Sequence, residues 1–262
     1  MPALRADMLQ LRPDLIAVSG DLTQRARRRQ FRAAREFLDT LPFARIVVPG
    51  NHDVPLYNVL ARGFRPLSRY QRYISPDLNP FFADGEIAVA GVNTARALTF
   101  KDGRINRHQV AAACARLQAS GPAPVRVVVT HHPFDLPEAA RARDLVGRAG
   151  MAMDGFAGCR VDLFLSGHLH ASRIGQSAAR YRIAGYSALI VQAGTATSTR
   201  RRDEANAYNV IRIDGAAIEV DCLVWDTALG FFAVASTQAF RRGPVGWIAV
   251  PGIEAAPGRR SA

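Results

Sequence analysis

The stretch that decides the fold is Arg45-Ile46-Val47-Val48-Pro49-Gly50-Asn51-His52-Asp53, an apolar run that ends in three polar residues. Short β-branched runs of this kind predict a buried strand. Pro49 and Gly50 end the strand, because proline lacks a backbone N–H and glycine permits a tight turn. An amide, an imidazole and a carboxyl group therefore follow directly on the end of a strand.

Three other predicted strands end in a similar way. Residues 14–18 lead to Gly20-Asp21, residues 125–129 to Thr130-His131-His132-Pro133, and residues 161–165 to Ser166-Gly167-His168-Leu169-His170. Helical patterns separate these runs, which predicts an α/β protein. Ligands of α/β sheets bind beyond the carboxyl ends of the strands, so we expect the four turns to meet at one edge.

The residue types at these turns indicate a metal site. Carboxylate, amide and imidazole groups without a thiolate suit divalent ions such as Mn, Fe, Zn or Co. Two such ions about 3.5–4 Å apart form a site for in-line attack on a phosphate ester. Each motif by itself has a plain structural explanation, since Gly-Asp often follows a strand and a single Gly-His-x-His is seldom a ligand pair. All four in this order favour the metal site.

These motifs resemble those of the calcineurin-like metallophosphoesterases, whose blocks run D-x-H, G-D, G-N-H-[DE], a histidine block and G-H-x-H. The last four correspond to Asp21, to Asn51-His52-Asp53, to His131 and to His168-Leu169-His170. Residues 93–96 and 194–198 look like the bacterial branch that includes the class III cyclic-nucleotide phosphodiesterases. The resemblance covers about residues 13–224 and implies an α/β sandwich of two mixed β-sheets flanked by helices, without the first strand.

The resemblance also implies a role for each matching residue. Asp21 would bridge two divalent ions, Asn51, His131 and His168 would complete the second ion's shell, and His170 would belong to the first ion. His52 would contact phosphate and protonate the leaving oxygen, oriented by Asp53. Asn51 and His132 would contact substrate, unless His132 and His131 exchange roles.

The implied reaction is hydrolysis of a small phosphodiester, such as a cyclic nucleotide, by metal-bound hydroxide. Two alternatives stay open: a metal-depleted binding or regulatory module of the same fold, and a nucleic-acid-directed phosphodiesterase.

The D-x-H block is the departure from the family pattern. Twenty residues precede Asp21 and contain no His, and Leu4, Met8 and Leu11 have the spacing of a helix. An upstream start, a natural variant with a weakened first metal site, or a strand from another chain would each explain this. The first ion then keeps Asp21 and His170, so we expect a first site that is incomplete and an activity that is impaired. The open strand edge would favour aggregation or a homodimer.

Composition bears on the partners and the cellular location of the protein. The net charge of +12 comes almost entirely from Arg, which favours a compositional bias over a nucleic-acid surface. No apolar run is long enough for a membrane span, and the first ten residues lack the apolar core of a secretory signal. Cys114, Cys159 and Cys222 are odd in number and far apart, so we predict three core thiols and a cytoplasmic location.

The chain shows no convincing domain boundary. We predict a single domain over residues 1–250, a helix over about 138–153, and a flexible tail over 251–262. Thr23 is the predicted cap of the following helix, which places Phe31, Ala34 and Leu38 on one face.

A helical cap at about residues 55–82 mixes aromatic and Arg residues. These side chains would either hold a base and a phosphate or pack the cap onto the core; the aromatic ones are Tyr57, Phe64, Tyr70, Tyr73, Phe81 and Phe82.

Overall fold

A computed structural model describes residues 2–56, 59–97, 102–121, 125–137, 141–197 and 205–251. The helices are α1 (Pro2–Leu11), α2 (Arg28–Asp39), α3 (Val59–Phe64), α4 (Ser68–Tyr73), α5 (Arg107–Ala119) and α6 (Ala149–Gly158). The first six strands are β1 (Leu15–Val18), β2 (Ala44–Val47), β3 (Phe81–Ala83), β4 (Ile87–Gly91), β5 (Val125–Val129) and β6 (Leu163–Ser166). The remaining strands are β7 (Arg173–Gln176), β8 (Leu189–Gln192), β9 (Ala207–Asp214), β10 (Ala217–Asp226), β11 (Phe231–Arg242) and β12 (Trp247–Val250).

A six-stranded mixed sheet forms one layer, in the order β3-β4-β5-β6-β8-β7. Its four central strands are parallel, and β3 and β7 close the two edges in antiparallel pairing. The central strands are almost continuously apolar because both faces of a parallel sheet are covered. Helices α5 and α6 cover one face, where Val110, Leu117, Met153 and Phe156 pack around Phe164.

The second layer is divided into two sheets. β1 and β2 form a parallel pair, and β12-β11-β10-β9 form an antiparallel sheet. Val127, Leu163 and Val191 of the six-stranded sheet pack in one core with Ile218 and Phe240 of the antiparallel sheet. This arrangement confirms the predicted α/β sandwich, with the second layer in two parts.

Several local predictions are confirmed and others are wrong. α1 contains Leu4, Met8 and Leu11, whose spacing predicted a helix, and α2 buries Phe31, Ala34 and Leu38. The helix predicted for residues 138–153 is wrong: a short 3-10 turn at Ala142–Asp144 precedes α6, and residues 138–140 lie outside the described residues. The Gly147-Arg148 pair explains the later start, because Arg148 takes a left-handed conformation before α6.

The prediction of three free thiols is also wrong. Cys114 of α5 and Cys159, just after α6, form a disulfide across 45 residues of sequence, while Cys222 is a buried free thiol. The prediction relied on the distance between the cysteines along the sequence. In the structure α5 and α6 pack side by side, which brings the two Cα atoms to 5.6 Å from each other.

None of the described helices is both long and apolar enough to cross a membrane. The tail predicted for residues 251–262 lies outside the described residues except for Pro251.

Candidate metal centre

The four polar turns meet where the predicted strands end, and strained backbone conformations aim their side chains. Asp21, His168 and His170 have φ values of 57°, 72° and 62°, which non-glycine residues seldom adopt. Gly20 has φ 90°, and a Cβ there would lie 2.7 Å from both Gly50 N and His131 Nδ1. Only glycine allows the first two turns to approach each other so closely.

Four donor atoms converge at this edge. His131 Nε2 lies 2.9 Å from Asn51 Oδ1, 3.3 Å from His168 Nδ1 and 3.4 Å from Asp21 Oδ1. His168 Nδ1 lies 3.2 Å from Asn51 Oδ1. The structure thus brings together Asp21, Asn51, His131 and His168, the four residues that the resemblance places around one ion.

The outer nitrogen of His131 is held by the backbone. Nδ1 of His131 lies 2.7 Å from the carbonyl oxygen of Ser19, so Nδ1–H donates there and Nε2 keeps a lone pair that faces the cluster. Burial, and then the neighbouring His131, lower the pKa of His168 to about 4. His168 is therefore neutral at physiological pH and can offer a lone pair.

His132 lies beside the same cluster but is fixed from the other side. It is fully buried, and its Nδ1 lies 2.8 Å from Thr94 Oγ1. Its ring centroid is 4.8 Å from that of His131 and 4.7 Å from that of His168. One ligand atom from each of these three histidines lies within 4.8 Å of the others. His132 is therefore an additional candidate ligand of the cluster. This role adds to the contact with substrate that the resemblance implies.

His170 does not join that group of three histidines. It lines the same groove as Asp21 and His168, and its Nδ1 lies 2.5 Å from Thr195 Oγ1. The structure therefore shows four converging donors at one position, while His170 contacts Thr195.

His52 lines the groove near Asp21, and its ring is oriented by a backbone carbonyl. Nδ1 of His52 lies 2.9 Å from the carbonyl oxygen of Gln24, and the His52 N–H donates to Asp21 Oδ1 at 2.9 Å. Nδ1 is thereby assigned as the donor to Gln24, which leaves Nε2 as the nitrogen available for proton transfer.

Asp53 contacts backbone N–H groups, whereas the resemblance implied that it orients the ring of His52. Its fully buried carboxyl group accepts from the N–H groups of Leu22, Thr23 and Gly50, at 3.3, 2.9 and 3.0 Å. Asp53 therefore joins the Gly-Asp turn to the Gly-Asn-His-Asp turn, and Gln24 holds the imidazole. Burial and the nearby charge of Asp21 raise the pKa of Asp53.

Thr23 takes part in the same connection and does not cap α2. Its hydroxyl donates to the carbonyl of His52 and accepts from the N–H of Ala26, while Arg27 is the N-cap residue. The predicted cap is wrong because a tertiary contact recruits the hydroxyl.

The donor set fits a cation. His131 Nε2 presents a lone pair 2.9 Å from Asn51 Oδ1 and 3.4 Å from Asp21 Oδ1, and these acceptors repel one another unless a positive charge lies among them. A divalent ion held by Asp21, Asn51, His131 and His168 would remove that repulsion.

The cap supports the packing interpretation of its aromatic residues. Tyr70 is fully buried and donates to the carbonyl of Val47 at 2.8 Å, and Tyr73 stacks on Phe31 of α2. Phe64 is 85% exposed, and Tyr57 lies outside the described residues. Arg62 is buried and donates to the carbonyls of Ala97 and Pro55.

Three residues that orient the site were not predicted from the sequence. Ser19 and Gln24 act through backbone carbonyls, which carry no residue-specific signal. Thr94 lies within the segment 93–96, whose resemblance to the bacterial branch could have marked it as a candidate. That resemblance did not predict the contact of Thr94 with His132.

A protein with this sandwich and this ligand set has the scaffold of a metal-dependent hydrolase. The family model described as calcineurin-like phosphoesterase matches residues 2–172, which is more than half of the chain. The chain therefore belongs to the calcineurin-like phosphoesterase family, a class of metal-dependent phosphoester hydrolases. Membership implies a dinuclear centre of divalent metal ions.

Of three similar solved structures, the first supports the same fold. A dimetal phosphatase from Danio rerio superposes with a TM-score of 0.57 at 13% identity, covering 84% of this chain and 85% of that chain. Vacuolar protein sorting 29 from Cryptosporidium parvum gives 0.45 at 14% identity, with 90% and 89% covered. A putative 5'-nucleotidase from Staphylococcus aureus gives 0.40 at 14% identity, with 82% of this chain and 40% of that chain covered. At such identities the first of these bears on the fold alone. No curated protein matches the sequence.

Proposed function

We propose that this chain hydrolyses a small phosphodiester, such as a cyclic nucleotide. The observation that carries the proposal is the convergence of Asp21, Asn51, His131 and His168 beside the ring of His52. Segments 93–96 and 194–198 support the choice of a small diester through their resemblance to the bacterial branch. When bound, divalent ions lower the pKa of a coordinated water and offset the negative charge of the phosphate.

The chain's own residues supply the remaining chemistry. Asn51 and His132 would contact the phosphate, as the resemblance implies. The imidazolium form of His52, held by the carbonyl of Gln24, would give its Nε2 proton to the leaving oxygen and become neutral. Asp53 would keep the two turns in register through its three backbone N–H contacts. No serine or cysteine nucleophile is needed in this scheme.

A manganese-dependent assay with a chromogenic phosphodiester tests the proposal. His52→Ala is expected to lower kcat by at least about 100-fold, because general acid catalysis contributes about 10²–10⁴-fold. His108→Ala is the matched control, since His108 is exposed at the start of α5, and its turnover should equal that of the unchanged protein. Equal turnover of the His52→Ala and His108→Ala proteins would contradict the assigned role.

The second candidate is a binding or regulatory module that has kept the fold and lost most of the chemistry. It is favoured by the contact of His170 with Thr195, which leaves four donors converging at a single position. In that case the protein would bind one manganese ion per chain and show no manganese-dependent turnover. Elemental analysis after dialysis separates the candidates: two tightly held ions per chain would contradict the module.

A further inference from the structure

Arginine side chains from two neighbouring helices meet along the contact between α2 and α4. Arg28 and Arg32 lie one turn apart on α2, so they share a face of that helix. Arg65, Arg69 and Arg72 are four and three residues apart, which places them on one side of α4 and of the turn before it. We term these five residues the arginine seam.

The two rows of the seam meet at the ring of Tyr73. This ring stacks on Phe31 of α2, with 6.3 Å between the ring centroids. The guanidinium carbon of Arg32 lies 6.0 Å from the Tyr73 centroid, and that of Arg72 lies 5.7 Å from it. The ring attracts each cation, but the two like charges still repel each other. An anion bound between the two guanidinium groups would remove that repulsion.

No carboxylate neutralises the seam. Across the described ranges of the chain, none of its five arginines forms an ion pair, and four of the five side chains are exposed. Glu36 lies one turn after Arg32 without pairing with it, and the carboxylate of Asp39 pairs with Arg35 and Arg45. A row of uncompensated positive charge attracts anions from solution.

The seam begins beside the metal centre. Nη1 of Arg69 donates to the carbonyl of Ala26 at 2.7 Å, the N–H of Ala26 donates to Thr23 Oγ1, and Thr23 Oγ1 donates to the carbonyl of His52. The row from Arg65 to Arg72 covers about 10 Å of chain, and the phosphates along one strand of duplex DNA are about 3.4 Å apart. Several consecutive phosphates can therefore lie along the seam.

The side chains of this surface suit an unpaired nucleic-acid strand. Guanidinium groups match the geometry of phosphate oxygens and also stack on bases. Phe64, directly before Arg65, is 85% exposed and offers a face on which a base can stack. A helix that binds a membrane surface carries exposed apolar residues beside its basic ones, and neither α2 nor α4 has a large exposed apolar side chain.

We propose that the arginine seam binds single-stranded nucleic acid, with consecutive phosphates on the arginines and a base stacked on Phe64. The net charge of +12 by itself predicts only a general attraction for anions, whereas the rows on α2 and α4 define one path. The seam is separate from the metal ligands, so this binding goes beyond the proposed function and is independent of which diester the centre hydrolyses.

Fluorescence anisotropy of a labelled phosphorothioate poly-dT, which resists hydrolysis, measures the binding over a range of salt concentrations. Arg32→Ala/Arg72→Ala should weaken binding at least about tenfold and reduce the slope of log K against log salt by about 1.4, because each phosphate contact on a single strand contributes about 0.7. Phe64→Ala should weaken binding about fivefold or more and leave the slope unchanged, because stacking is not an ionic contact.

Arg107→Ala/Arg241→Ala is the matched control, since these two arginines are exposed on α5 and β11 and their loss removes the same charge. Binding by this control equal to that of the unchanged protein supports the seam. Equal weakening of the two double variants shows attraction by net charge and overturns the proposal. If the Arg32→Ala/Arg72→Ala protein does not fold, Arg32→Gln/Arg72→Gln keeps part of each apolar stem on Tyr73, and unweakened binding by it overturns the proposal.

The remaining outcomes concern other partners. Absence of binding by the unchanged protein at low salt overturns the proposal. Displacement of the oligonucleotide by phosphatidylserine vesicles at an equal concentration of phosphate shows a membrane-binding surface and also overturns it. Duplex poly(dA)·poly(dT) that binds as tightly as poly-dT overturns the assignment to single strands, because paired bases cannot stack on Phe64.

Discussion

At the scale of single residues, three imidazoles of the centre each keep one nitrogen on a fixed partner. Ser19 and Gln24 hold His131 and His52 through backbone carbonyls, and Thr94 holds His132 through its hydroxyl. These partners determine which ring nitrogen faces the groove. The histidines were therefore predictable as candidates, whereas their orientations depend on contacts between segments far apart in sequence.

Thr94→Val tests the contact that holds His132. We expect the free energy of unfolding to fall by about 1–3 kcal/mol, because the mutation leaves a buried imidazole nitrogen without its partner. Denaturant unfolding measures the change. The control is Thr40→Val, whose hydroxyl donates to the carbonyl of Phe37 at an exposed helix end. Surface changes are usually within about 0.5 kcal/mol. Equal losses of unfolding free energy in the two proteins would show that the Thr94–His132 contact stabilises the fold no more than the exposed Thr40 contact does.

At the scale of elements, α2 packs against both the β1–β2 pair and the cap. Phe31 is fully buried, lies in one core with Val47 of β2 and Tyr70 of α4, and stacks on Tyr73. The sequence predicted this face of α2 because the helical period repeats over three turns. It did not predict that the cap aromatics would meet the same face, since no local pattern records which elements pack together.

Phe31→Ala should lower the free energy of unfolding by about 3–5 kcal/mol, the usual cost of removing a buried phenylalanine. Arg29→Ala is the control, because Arg29 lies exposed on the same helix and its loss should cost no more than about 0.5 kcal/mol. Chemical denaturation of both proteins gives the comparison. If Phe31→Ala lowers the free energy of unfolding by less than about 1 kcal/mol, the packing of α2 against the cap does not stabilise the fold.

At the scale of the whole molecule, the Cys114–Cys159 disulfide joins α5 to the end of α6 on the outer face of the six-stranded sheet. The bond closes a loop of 45 residues that includes β5 and α6. Such loops restrict the unfolded chain, so reduction should lower the free energy of unfolding by about 2–4 kcal/mol.

Thiol titration of the denatured protein checks this assignment. One reactive thiol, that of Cys222, is expected without reductant and three with it, and Cys222→Ser should reduce the two counts by one each. Three reactive thiols in the untreated protein would show that the bond does not form. Melting curves with and without reductant then measure its effect on stability.

The sequence by itself determined the metal chemistry and the local elements. Ligand types and their order after strands are local properties, and so are the periods of α1 and α2. Tertiary structure alone decided the disulfide and the contact of Asp53 with the backbone N–H groups of Leu22 and Thr23. The physical reason is that these features arise between residues dozens of positions apart, where packing of the elements, and not local pattern, brings the groups together.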